Sequence, residues 1–114
     1  MKKKGLCYQN AFHGLDKYPG SVLVHGIVTG QGPIEGVTYG HAWLEVEGIG
    51  EGTYCVDFNA CLALPKEIYY RIGKQKYTVT YTASEAAKLA RKAGHYGPWD
   101  KKIDKAVHRK VSPL

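Results

Sequence analysis

The sequence predicts one α+β domain, built on a mostly antiparallel sheet with an N-terminal helix and C-terminal helices, and three observations predict it. Residues 40–46, Gly40-His41-Ala42-Trp43-Leu44-Glu45-Val46, and residues 54–59, Tyr54-Cys55-Val56-Asp57-Phe58-Asn59, alternate and are rich in strand-favouring side chains. Cys7, Ala11 and Leu15 recur at i, i+4 and i+8, a helical stripe ahead of every strand pattern. Thr82-Ala83-Ser84-Glu85 offers a capping box, with Ser84 as an alternative cap, that opens a helix after the last strand pattern. A helix, then strands, then helices is the order of an α+β fold. At 114 residues and 44% hydrophobic, the chain suits a single domain over 1–114 with one core.

Taken in order, the first helix spans residues 6–17 and is stopped by Asp16-Lys17-Tyr18-Pro19-Gly20. Residues 21–28 read as a buried, central strand. Its His25 is expected to be a hydrogen-bonded structural histidine, because no acid stands at a spacing that suggests a partner. Residues 29–36 are too glycine-rich for regular structure, and a loop of that composition ahead of His41 is placed to overhang a site. Residues 40–46 and 54–59 then form a hairpin across Glu47-Gly48-Ile49-Gly50-Glu51-Gly52. Residues 62–71 fit either a short helix from Pro65 or an extended crossover, and residues 76–82 form a strand. The capped helix runs to about Gly94, the turn His95-Tyr96-Gly97-Pro98 follows, and residues 99–111 form a last basic helix carrying Trp99, Ile103, Ala106, Val107 and Lys110 at helical spacing.

The formal charge of +6 sits at the ends: +3 in residues 1–4, −2 in residues 5–83 and +5 in the basic segment 84–114. No aromatic-basic interleave or recognition helix accompanies those charges, so specific nucleic-acid binding is not expected and a solvated helical face is. Met1-Lys2-Lys3-Lys4 has the charge of a signal peptide start, but residues 5–10 break any apolar continuation and no run reaches membrane-spanning length. The expectation is a cytoplasmic protein without membrane contact. Cys7, Cys55 and Cys61 are odd in number and lack CxxC spacing, which favours free thiols over a disulfide framework. Cys7, His13, His41 and Cys55 make only a weak metal set, for no pair has ligand spacing. No metal or cofactor is called for.

The hairpin carries the chemistry. If it is symmetric about Ile49, His41 lies opposite Asp57, with Cβ atoms about 4.5–5.5 Å apart on one face. A carboxylate at that distance takes an imidazole proton and fixes the ring's tautomer. Alternation places His41, Trp43 and Glu45 with Cys55, Asp57 and Asn59, and leaves Ala42, Leu44, Val46, Val56 and Phe58 as a core face. The polar face is then free to meet the helix of Cys7 or solvent. Cys7 falls in the first turn of that helix, where unpaired N–H groups and the positive dipole end favour a thiolate. Cys55 shares a face with Asp57 but has no helix terminus to help it, and ranks behind Cys7.

A cysteine opening an N-terminal helix, then Gly-His-Ala-Trp-x-Glu on one strand and Val-Asp on the next, resembles the papain-like and transglutaminase-like cysteine enzymes, including small bacterial peptidases that process peptide precursors. The likeness covers residues 6–59, about half of the chain. It implies that Cys7 is the nucleophile, His41 the base and Asp57 the orienting acid, on a cysteine helix packed against the sheet that presents His41. The glutamine that precedes the nucleophile in papain has no counterpart in residues 1–6. The backbone N–H of Cys7 remains the natural first oxyanion donor, and Gln9, Asn10, Asn59 or the backbone near Tyr39 and Gly40 are candidates for the second, with Trp43 as a substrate contact.

Acyl transfer through a thioester follows from such a triad. Water attacking a main-chain acyl group makes a peptidase, water attacking a glutamine side-chain acyl group a deamidase, and an amine an acyltransferase. A peptidase or amidase acting on a peptide or protein amide needs no second cosubstrate site and is the first expectation. A non-catalytic basic binding or regulatory module is the reading from another class.

Overall fold

The computed structural model describes residues 6–30, 32–48 and 52–108. The charged start at residues 1–4, Gln31 of the glycine-rich loop, the hairpin centre at residues 49–51, and Arg109, Lys110 and Val111 of the basic segment lie outside them.

The fold is α+β. Five antiparallel strands, β1 (Val22–Thr29), β2 (Thr38–Glu47), β3 (Thr53–Asp57), β4 (Leu62–Pro65) and β5 (Tyr77–Tyr81), lie in the order β4-β3-β2-β1-β5. The helices are α1 (Leu6–Gly14), α2 (Lys66–Gly73), α3 (Ala83–Ala93) and α4 (Lys101–His108). Residues 62–73 combine the two forms that Pro65 allowed, a short edge strand and then a helix with Pro65 as its N-cap residue. Gly32–Ile34 of the loop before β2 forms one 3-10 turn.

The stripe on α1 is buried as its spacing requires, with Cys7, Ala11 and Leu15 all inside. The helix ends at Gly14, earlier than residue 17, and Gly14 lies against the ring of Phe58 so closely that a Cβ would collide with it. Residues 15–18 leave in tight turns, with Leu15 N donating to Phe12 O at 3.1 Å and Lys17 N to Gly14 O at 2.9 Å. The Thr82 capping box is present: Glu85 N donates to Thr82 Oγ1 at 3.1 Å, Thr82 N donates to Glu85 Oε1 at 2.9 Å, and Gly94 closes α3 with φ +80°. The last helix opens at Lys101, two residues later than Trp99. Asp100 caps it, its Oδ1 accepting from Lys102 N at 2.9 Å and Ile103 N at 3.2 Å, while Trp99 packs on the core.

Alternation along the strands divides the sheet into two faces, and both are covered. Leu23, Ala42 and Leu44 join Cys7, Tyr8, Ala11 and Leu15 in one core, with Val46, Val56 and Phe58 packed against it. Val24, Val28, Trp43 and Cys55 form a second core, against which Tyr69 and Tyr70 of α2 pack. The face that carries His41 is therefore not left for α1 or solvent. The amphipathic helix after Pro65 takes it, and α1 packs on the Ala42 face instead.

The hairpin register also differs from the symmetric one. Leu44 pairs with Val56 and Glu45 with Cys55, so Asp57 stands two residues from the position opposite His41. The reason is at the turn, where Gly48 N donates to Gly52 O at 2.8 Å and Gly52 takes φ +82°, so the connection closes on 48 and 52 rather than around Ile49. A two-residue slip keeps every side chain on its face, and His41 and Asp57 become diagonal neighbours.

Candidate active site

His41 and Asp57 reach each other along that diagonal. His41 Nε2 lies 2.8 Å from Asp57 Oδ2. The carboxylate is held by two further donors: the Tyr69 hydroxyl gives its proton to the same Oδ2 at 2.6 Å, and Ala60 N donates to Oδ1 at 3.0 Å from the turn after β3. Burial would raise the Asp57 carboxyl, but the His41 ring and these two donors outweigh it and keep it below the usual carboxylate range.

The ladder between β2 and β3 ends at Leu44 and Val56, so the half of β2 that carries Tyr39 and His41 has no β3 partner. The Cys7 end of α1 lies beside it. Cys7 is near enough to His41 and Tyr39 to influence the protonation of both side chains. With Nε2 committed to Asp57, Nδ1 is the nitrogen left for the thiol. Cys7 is only 6% exposed and belongs to the first core. Burial would drive the imidazole towards neutrality. Hydrogen bonds and charge from Asp57 and Cys7 prevail, pushing His41 up to about 10.

The other residues singled out by the sequence fall in different places. The backbone N–H of Cys7, second residue of α1, belongs to the first turn, where helical N–H groups lack an intrahelical acceptor. Asn10 and Asn59 meet, Asn10 Nδ2 donating to Asn59 Oδ1 at 3.4 Å, and this ties α1 to the turn that carries Ala60. Gln9 is exposed. Tyr39 neighbours the site with its ring 6.0 Å from that of His41, and burial with the charges of Asp57 and Cys7 raises its hydroxyl, which stays a donor. Gly40 lies between them, paired with Ile27. Trp43 is corrected as a substrate contact: it is fully buried against Tyr69 and Tyr70, and its packing holds α2 to the sheet.

Cys55 is fully buried beside Glu45, and burial and that carboxylate push its thiol up to about 12, an inert state. Glu45 itself accepts the Tyr70 hydroxyl and pairs with Lys66 Nζ at 3.3 Å. Cys61 is exposed, and all three cysteines are free thiols. Among the described residues no group of three His, Cys, Asp or Glu is gathered as a metal site would need, so Cys7, His13, His41 and Cys55 are not one set. No helix among them is long and apolar enough to cross a membrane.

Tyr69 is the residue that sequence reasoning missed. Its signal was faint: a tyrosine pair in an amphipathic helix reads as packing, and only the fold of α2 over β3 brings the hydroxyl to Asp57. His25 departs from expectation too. It is fully buried but has no hydrogen bond at either nitrogen, and sits among the rings of Tyr8, Tyr81 and Trp99 at centroid distances of 4.8, 5.1 and 5.1 Å.

Comparisons with protein-family models, curated proteins and solved structures gave no match for this chain.

Proposed function

We propose that this protein is a cysteine-dependent peptidase or amidase that works through a thioester. The observation that carries the reading is the His41–Asp57 pair, with Asp57 Oδ2 2.8 Å from Nε2, together with the influence of Cys7 on the same imidazole.

In this mechanism the Cys7 proton rests on His41, and the thiolate attacks an amide carbonyl to give a tetrahedral oxyanion. The C–N bond breaks as His41 protonates the departing nitrogen, which leaves an acyl thioester on Cys7. His41 then takes a proton from water as its oxygen attacks the thioester carbon, and the second tetrahedral species collapses to a carboxylic acid and free Cys7. Asp57 orients the ring throughout and opposes loss of its proton. The Cys7 N–H supplies one oxyanion donor, and Tyr39, whose ring centroid lies 6.0 Å from that of His41, is a candidate for the second.

The test is thiol reactivity on the native protein. An ordinary thiol of pKa about 8.5 is mostly protonated near pH 6 and reacts slowly there. Iodoacetamide at that pH should alkylate Cys7 ahead of the buried Cys55 and the exposed Cys61, as read by peptide mass spectrometry. Cys7→Ala and His41→Ala should each abolish turnover of peptide substrates in a protein that keeps its circular dichroism. Preferential labelling of Cys61 with Cys7 untouched, or full biological activity in folded Cys7→Ala, would remove the thioester mechanism and leave a binding module.

A further inference from the structure

A cavity of about 190 Å³ opens between α2 and the sheet, on the His41 face. His41, Asp57, Tyr39 and Tyr69 form its polar side, and aliphatic residues such as Val28 and Leu64 form much of the rest. Cys7 is not among its lining residues. At the mouth, Leu62 and Ile72 are 38% and 48% exposed, so the apolar wall continues out to solvent.

Resting on the thioester reading, we propose that this cavity takes the aliphatic or aromatic side chain of the residue whose nitrogen is the leaving group. The acyl carbon bonds to Cys7 Sγ, whereas the departing nitrogen receives its proton from His41. A cavity walled by the base and not by the nucleophile therefore lies on the leaving-amine side. An engineered cavity of about 150 Å³ with apolar walls holds a benzene ring, so this one is large enough for a leucine or phenylalanine side chain. Its charge chemistry narrows the choice. The Asp57 oxygens already accept from His41, Tyr69 and Ala60, which leaves little for a cationic side chain to bind, and the same carboxylate repels an anionic one. Gln75, whose amide oxygen and nitrogen are buried without a hydrogen-bond partner, stands in the wall as a natural reporter of occupancy.

The experiment has two arms. In the first, a library of acetylated, amidated hexapeptides with randomised sequences is incubated with the protein and the cuts are mapped by mass spectrometry. Cleavage should concentrate before Leu, Ile, Phe and Tyr, and Leu62→Trp, which crowds the mouth from an exposed strand position, should raise the ratio of cleavage before glycine to cleavage before leucine about tenfold. In the second, phenylalanine amide, a leaving-amine product, is titrated into folded Cys7→Ala protein. It should shift the side-chain amide resonances of Gln75, whereas glycinamide should not, and Leu62→Trp should suppress the shift. Efficient cleavage whose selectivity lies wholly on the acyl side overturns the subsite and leaves the hydrolase standing. Absence of a Gln75 shift overturns the cavity as a side-chain site. Phenylalanine amide binding in a protein that cleaves nothing and whose Cys7 resists alkylation overturns the leaving-amine assignment together with the hydrolase reading.

Discussion

His41 and His25 are near neighbours on adjacent strands, since His25 pairs with Ala42 and Gly26 with His41, yet the protein drives their protonation in opposite directions. His25 is fully buried and His41 largely so, and burial alone lowers an imidazole. His25 shows that effect prevailing: among the rings of Tyr8, Tyr81 and Trp99, burial lowers its pKa to about 3, with Asp100 acting the other way. His41 faces α2, where Asp57 stands, and that carboxylate, with Cys7 of α1 adding to it, reverses the effect and raises the ring to about 10. One residue type becomes a neutral packing ring or a proton carrier according to which face of the strand it occupies and whether a carboxylate waits there.

The sharpest way to break that contrast is to remove the carboxylate. Asp57→Asn keeps size and an acceptor but loses the charge, so His41 should titrate much nearer its ordinary value and can adopt the wrong tautomer. Turnover should fall by about 10⁴, the loss seen for the orienting acid in an analogous triad. Tyr69→Phe is the milder version. It deletes one hydrogen bond to a charged oxygen, so activity should drop by about tenfold, with the Asp57 carboxyl moving up. Kinetics on a peptide substrate and NMR titration of the His41 ring read both; an unchanged His41 titration in Asp57→Asn would mean that the pair does not set the ring's charge.

Much of this contrast was legible in the sequence. Period-two alternation put His41 and Asp57 on one face, and a two-residue error in register cannot undo that. The register itself was hidden, because Gly48, Gly50 and Gly52 allow several turn closures and only the Gly48–Gly52 pair decides among them. The helical stripe buried Cys7, Ala11 and Leu15 as spacing demands. What no pattern announced were contacts made by distant elements: Tyr69 from α2 on Asp57, and Tyr8, Tyr81 and Trp99 from three separate segments around His25. Such contacts depend on how helices dock, which sequence periodicity does not encode.

Acid sharpens the comparison from the other side. Between pH 6.5 and about 3 the unfolded chain protonates residue 25 and the folded protein does not, so stability falls as pH drops through that window. His41 works in reverse: its contribution is complete below pH 6.5 and is lost as pH rises through about 10. Asp57, held below the usual carboxylate range, contributes above that range and loses its contribution only in stronger acid. His25→Phe should therefore flatten the stability profile between pH 6.5 and 4.5, measured by urea unfolding, while leaving activity intact. At pH 7 its stability should change by about 1 kcal/mol or less, because both nitrogens it removes are unpaired. A profile as steep as that of the native chain would show that His25 is not the acid-sensitive group.

The smallest effect is expected from the basic segment. Lys101 and Lys105 are exposed on α4, which is held to the sheet by the fully buried Ile103 rather than by its charges. Lys102 is set apart, since its Nζ lies 4.8 Å from the Tyr77 ring centroid. Replacing Lys101 and Lys105 by Gln should change stability by no more than about 0.5 kcal/mol and should leave turnover alone. If local burial sets the His25 state, its titration should also stay where it is, because interactions of solvent-exposed charges are screened at physiological salt. A shifted His25 titration would make its pKa a long-range electrostatic effect of the basic helix. Tight, sequence-selective binding to a nucleic-acid duplex that the double substitution abolishes would give the segment a recognition role in place of a solvated face.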